Sequence, residues 1–379
     1  TALASFVYRE VIAKANLRQN HDVMAQHNIQ PENVKTGIGL IFGTTGSGKT
    51  MSLQLLQRLF NIPVALLGGV QNLTDGAWIG TKIDNFFGHA INQLVVSYKD
   101  MGDPKTPKQI IEGINSGQIT PVVAIDEIDK IALKKSDGTG SNHQGEPQQN
   151  LLLPYLQGST VEINVGDEKV TLDTTNIVFL LMGAFSTPNK DGKTLAQVVM
   201  PHKDTFAMYN PDTSETVDKN AIYEKAEIKH FLGWFIHQFI GRIRALIPFG
   251  TLGESILRSI LSEPTGNLIS VLRAEIETQG GQLVVQDEAL DVIAQRARED
   301  DTGARALEHE LEKVVSTALY SLPSKIGEGL GEMFISRKMV EQNGAIIEEG
   351  ENATFRPPSG PSLETFQAYP SLPAPHNND

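Results

Sequence analysis

A chain of 379 residues with 40% hydrophobic and 20% charged residues has globular composition and the length of two or three domains, which excludes disorder throughout. Its formal charge of -13 argues against a broad electrostatic footprint for nucleic acid, and the lack of any cysteine excludes disulfides and thiolate zinc sites. No apolar run reaches the ~18 residues that a bilayer crossing needs, so a soluble, cytoplasmic protein without a membrane partner is expected.

The chain starts at Thr1, and TALASFVYREVIAKANL reads as the middle of an amphipathic helix, so a preceding segment is expected to be missing. Apolar, β-rich runs bounded by turn residues then recur at GIGLIFG, IPVALLGG, TPVVAID and NIVFLLMGAF, with helix-like stretches between them. This alternation predicts an α/β domain over residues 1–248, a parallel sheet flanked by helices.

Directly after the first run, Gly43-Thr44-Thr45-Gly46-Ser47-Gly48-Lys49-Thr50 satisfies G-x-x-x-x-G-K-[ST] between a strand and a helix, the setting of a P-loop. Glycines let the backbone wrap phosphate oxygens at a helix N-terminus, where unpaired N–H groups favour anions. Lys49 then suits the β and γ phosphates of ATP, and the Thr50 hydroxyl suits Mg²⁺. In the following helix Met51, Leu55, Leu56 and Leu59 recur at helical spacing and predict the face laid against the sheet.

The run TPVVAIDEIDK delivers Asp126 and Glu127 at a strand's C-terminal edge, where open α/β sheets bind ligands. Asp126 suits Mg²⁺ coordination and Glu127 suits polarising an attacking water. A solvated turn or a helix cap is the bland alternative, which the upstream phosphate motif disfavours. Residues 134–145, KKSDGTGSNHQG, read as a loop. From TLGESILRSIL onward the pattern is mainly helical, a smaller domain over residues 249–348. One helix there is predicted to be capped by Asp287, and another carries Leu307, Leu311, Val314, Val315 and Ala318 on one stripe. Residues 349–379, rich in Pro and Ser, are expected to be a disordered tail.

With both nucleotide motifs in place, the chain resembles the AAA+ ATPases and, within them, the ClpX-type protein unfoldases. The likeness runs in order from Gly37 to about Ser324. Its further stretches are DEIDKI, GEPQQNLLLPYLQGSTVEI and DTTNIVFLLMGAF, then FIGRI in the style of an arginine-finger segment and DTGARALEHELE in the style of a second sensor. The resemblance implies a P-loop AAA+ domain with a helical lid domain, hydrolysing ATP with Mg²⁺ as a homo-oligomer, a hexamer. It implies that Arg242 reaches the γ-phosphate held by a neighbouring subunit, with Arg244 as the rival, and that Arg305 contacts nucleotide from the smaller domain. A surface arginine paired with a carboxylate is the alternative for Arg242. The stretch LTDGAWIG resembles the family's pore loop, with Ala77, Trp78, Ile79 and Gly80 gripping a protein client. A core position for Trp78 is the other reading. Residues 134–145 fall where a second pore loop would lie.

Several departures qualify the likeness. The family's four-cysteine zinc domain cannot exist here, and the motif that helps to seat adenine is absent. No Ile-Gly-Phe tripeptide lies between Gly183 and Arg242, which makes a ClpP-like peptidase partner doubtful. HQFIGR lacks the family's Pro-Glu, and the basic loop near the pore entrance is replaced by the short acidic EINVGDEKVTL, implying more basic clients. An ATP-driven unfoldase that threads polypeptide through a hexameric pore is the expected function. The alternatives are an AAA+ nucleic-acid motor or loader, against which the charge weighs, and a nucleotide-gated interaction module, against which the joint presence of Lys49, Glu127, Arg242 and Arg305 weighs.

Overall fold

The computed structural model describes residues 2–30, 33–74, 81–133, 145–200, 223–262, 268–300 and 302–358. The chain divides into two units, Thr1–Thr251 and Leu252–Asp379. The first unit opens with α1 (Ala2–Val7), a π-helical turn (Tyr8–Ala13), α2 (Lys14–Gln19) and α3 (His21–Gln26). It continues through β1 (Ile38–Gly43), α4 (Lys49–Phe60), β2 (Val64–Leu67), α5 (Ile83–Asp100), α6 (Pro107–Asn115) and β3 (Val122–Ile125). After α7 (Glu146–Leu156) come β4 (Thr160–Val165), β5 (Glu168–Asp173), β6 (Val178–Gly183), α8 (Leu195–Val199), α9 (His237–Ile240) and β7 (Ile243–Phe249).

Five strands form one parallel sheet in the order β2-β3-β6-β1-β7. The central strands are apolar without a break because both faces are covered, as parallel sheets require. Ile38, Leu40 and Phe42 of β1 point into a core shared with Phe87 of α5, Ile110 and Ile114 of α6 and Leu152 of α7. Ile41 points to the other face, where Phe6 of α1 and Leu53 and Leu56 of α4 join Leu180 and Met182 of β6. All five strands therefore send their C-terminal ends to the same edge. The chain order reverses beside β1, the switch point where such sheets open a crevice.

The second unit holds α10 (Glu254–Ser262), α11 (Leu268–Thr278), β8 (Gln282–Val285), α12 (Asp287–Glu299), α13 (Ala304–Gly327), β9 (Glu332–Ile335), α14 (Arg337–Glu341) and β10 (Phe355–Arg356). The predicted stripe on α13 is buried in its core, with Leu307, Val314 and Ala318 wholly covered.

Four sequence expectations are corrected. On α4 the buried residues are Leu53 and Leu56, whereas Met51, Leu55 and Leu59 are 59%, 43% and 72% exposed. The helix is apolar on two stripes, and its exit from the P-loop, not its periodicity, decides which one meets the sheet. The acidic EINVGDEKVTL is not a loop but most of the β4–β5 hairpin, closed by Gly166 and Asp167, with Gly166 at φ 62°. A two-residue turn of this composition is a hairpin signal in its own right. Asp287 does not cap α12, since Gln286 occupies the N-cap and Asp287 is the first helical residue. The smaller unit is mainly helical as expected, and it adds a three-stranded sheet of β8, β9 and β10. The start of the expected tail is ordered, with Phe355 and Arg356 pairing antiparallel to Met333 and Glu332. The stretch 75–80, which includes Ala77, Trp78, Ile79 and Gly80, lies outside the described residues, as do 134–144.

Candidate nucleotide site

At the C-terminal end of β1 the chain makes a turn that only glycine tolerates at its entry. Gly43 has φ 153°, and a Cβ there would stand 1.9 Å from the Phe249 carbonyl oxygen at the end of β7. Gly46 and Gly48 follow in the left-handed region at φ 73° and 83°. Gly48 is the N-cap of α4 and offers no side chain to its first N–H groups, so an anion is the natural complement of that helix end. Ser47 is buried within the turn. The Lys49 ammonium folds over the loop and donates to the carbonyls of Gly43 (2.9 Å) and Thr44 (2.7 Å) and to Ser47 Oγ (3.4 Å). Thr45 is exposed and Thr50 is half-buried in the first turn of α4.

β3 ends two strands away from β1, about 10 Å across the intervening β6. It places Asp126 and Glu127 on the same edge as the P-loop. The Asp126 N–H donates to the Leu67 carbonyl (2.7 Å), and Asp126 Oδ1 accepts the Glu127 N–H (2.8 Å). Glu127 is exposed and holds the left-handed conformation at φ 55°, uncommon for a side chain with a Cβ. The Lys130 N–H returns to its carbonyl (2.9 Å), closing the 3-10 turn Ile128–Ile131.

A third carboxylate in that turn was not singled out in the sequence. Asp129 is buried, and its Oδ2 accepts the N–H of Phe185 (3.1 Å), just past the end of β6. Burial pushes its carboxyl above the ordinary value, against the Phe185 N–H, which favours the ionised form. Phe185 itself sits at φ 52° and packs edge-on against Phe231, Trp234 and Phe235. Its spacing three residues after Asp126 is the only sequence signal for Asp129, and a solvent-facing acidic residue would show the same spacing.

Among the described residues no group of three or more His, Cys or acidic side chains is arranged to hold a metal alone. The donors at the edge are the Thr50 hydroxyl and the Asp126 carboxylate. That hard-oxygen pair fits Mg²⁺, which takes one or two protein ligands and completes its shell with phosphates and water.

Arg242 is exposed and immediately precedes β7. Ile38 pairs with Ile243 and Gly43 with Phe249, so Arg242 lies at the opposite edge of the sheet from its own P-loop, about 20 Å away along the strand. Its rival Arg244 reaches the Lys35 carbonyl (3.5 Å), beside the buried Glu10 that pairs with Lys14. Arg305 is exposed in the first turn of α13, in the second unit.

Residues 35–246 match the family described as AAA domain (Cdc48 subfamily), and residues 252–327 match the C-terminal, D2-small domain, of ClpB protein. The chain is similar to the ATP-dependent Clp protease ATP-binding subunit ClpX 2 of Wolinella succinogenes, 30% identical over 79% of this chain and 68% of that protein. It is also similar to ClpX 3 of Methylococcus capsulatus, 27% identical over 82% of this chain and 72% of that protein. The ClpX subunit of Bacteroides fragilis is 28% identical over 76% of this chain and 66% of its own length. Among the described residues no helix is long and apolar enough to cross a membrane. With the five-stranded parallel sheet and the P-loop at its switch point, these matches identify the chain as an ATP-hydrolysing member of the ClpX-type Clp AAA+ ATPases.

Proposed function

We propose that the protein is an ATP-driven unfoldase that works as a homo-hexameric ring and threads protein clients through its centre. The observation that carries this reading is the separation of Arg242 from the P-loop across one sheet. An arginine at that edge cannot serve its own nucleotide, and a ring brings it to the next chain's. Lys49 then holds the β and γ phosphates, Thr50 and Asp126 hold Mg²⁺, and Glu127 orients and polarises the attacking water. Mg²⁺ contributes charge neutralisation on the phosphates. Arg242 of one chain stabilises the charge that develops in its neighbour, a term of roughly 10³ to 10⁵ in rate among nucleotidases. Arg305 reads the nucleotide from the smaller unit. Met51, Leu55 and Leu59 leave an apolar ridge on α4 that a neighbouring chain would cover. Trp78 and Ile79, between Gly76 and Gly80, supply the apolar grip on the client.

Client unfolding and ATP hydrolysis measured side by side test this reading. Lys49→Ala should lose nucleotide binding, while Glu127→Gln should bind and not turn over. Trp78→Ala should keep most hydrolysis and lose unfolding with little change in melting. A Trp78→Ala chain that unfolds clients at the parental rate, or hydrolysis stimulated by nucleic acid and not by protein, would overturn the proposal.

A further inference from the structure

Gln149 of α7 is a wholly buried polar side chain, with 0% exposure, on the face that also buries Leu152 and Leu156. Its amide uses both of its N–H donors and one of its oxygen's two acceptor positions. Nε2 donates to the Ile131 carbonyl (2.7 Å) and to the Trp234 carbonyl (3.0 Å), and Oε1 accepts the Ile236 N–H (2.8 Å). The opposite amide orientation would set Oε1 against two carbonyl oxygens and the NH2 group against the Ile236 N–H, so the partners themselves fix which end is nitrogen.

What the amide joins gives it meaning. Ile131 closes the 3-10 turn that begins just after Asp126 and Glu127. Ile236 is the N-cap of α9, and the Ile240 and Arg242 N–H groups hang from this turn by bonds to the Ile236 (3.2 Å) and Phe239 (3.2 Å) carbonyls. A parallel bond from the Leu133 N–H to the Trp234 carbonyl (2.8 Å) runs beside the amide. The Trp234 ring also packs edge-on to Phe185, whose N–H is held by Asp129 of the same acidic turn. One buried side chain thus ties the segment that presents Glu127 to the short arm that presents Arg242 at the far edge.

We propose that Gln149 is a positioning residue for Arg242. It fixes, within one chain, the setting of the arm that serves the neighbour's nucleotide relative to the acidic turn that serves the chain's own. This rests on the reading of Arg242 as acting in trans. A glutamine that merely held the fold together would lower activity in its own chain's site and leave the neighbour's unaffected.

Mixing experiments separate the two. Gln149→Met keeps the unbranched shape and removes all three bonds. Alone, it should bind ATP with a KM within about twofold of the parent and turn over about five- to tenfold more slowly, the range of coupling between linked positions. The variant is then diluted into an excess of Glu127→Gln chains, which hydrolyse nothing and carry an undisturbed Arg242, and is compared with parental chains diluted in the same way. The rate per Gln149→Met chain should rise towards that of the parent, because its intact Glu127 now receives a well-placed arginine. A rate per chain that stays low places the defect in its own site and overturns the proposal. Arg242→Ala, mixed identically, is the separate control on the underlying reading. Failure of that variant to recover refutes the action in trans, whereas its recovery without recovery of Gln149→Met refutes only the role of Gln149. Should Gln149→Met not fold, Ile236→Pro removes one of the three bonds from the arm side, at a residue whose φ of -65° suits proline, and the same recovery is required of it.

Discussion

Gly43 and Glu127 stand on the same edge of the sheet, beyond the ends of β1 and β3, and both hold backbone conformations that most side chains avoid. At Gly43 the constraint is contact: β1 and β7 converge so closely that a methyl group would strike the Phe249 carbonyl. Gly43→Ala should therefore push the end of β7 away, cost about 1–3 kcal/mol and weaken nucleotide binding together. Thermal melting and titration with a fluorescent nucleotide check this, and a variant with parental values in both would show that the strand end gives way freely. At Glu127 the constraint is strain, of order 1–3 kcal/mol, held by two backbone bonds of Asp126 and Lys130 and by the Asp126 carboxylate on the Glu127 N–H. Such strain keeps the Glu127 carboxylate clear of the sheet and exposed on the edge.

Among the elements, α4 carries the sharpest contrast, since its two apolar stripes have different fates. Leu56 is buried against β6 and α1, so Leu56→Ala should cost about 2–5 kcal/mol in thermal unfolding. Leu59 is exposed in the single chain, and Leu59→Ser should change the unfolding free energy by no more than about 0.5 kcal/mol. In the proposed ring it should instead shift assembly to higher concentration, as read by sedimentation. Equal destabilisation by the two substitutions would mean that the exposed stripe is covered within the chain. β7 teaches a related lesson. It is an edge strand, it contains Pro248, and its burial is patchy, which is why its sequence does not read as a strand although it carries the register that places Arg242.

For the whole molecule, the proposed action of Arg242 on a neighbour's nucleotide requires turnover to be a property of more than one chain. The specific rate of ATP hydrolysis should rise with protein concentration and level off where sedimentation shows assembly complete. Full specific activity in a preparation shown to be single chains would remove the ring from the account and leave Arg242 a surface residue.

Chemistry that is contiguous in the chain was readable from the sequence alone. The strand, the Gly43–Thr50 turn and the helix after it lie within about twenty residues, and Asp126 and Glu127 follow their strand directly, so local geometry suffices to announce a phosphate edge. The alternation of apolar runs with helices likewise announced the parallel sheet, because both faces of each inner strand had to be apolar. Tertiary structure alone decided what depends on partners distant in the chain. It turned Leu53 inward beside the expected Leu56 and left Met51, Leu55 and Leu59 outside, and it drew Asp129 to the N–H of Phe185. It buried Gln149 between Ile131 and Ile236, and it stood Arg242 at the edge opposite Gly43. A residue type states which bonds a side chain is able to make, but burial and register, set by segments up to two hundred residues away, determine which of those bonds form.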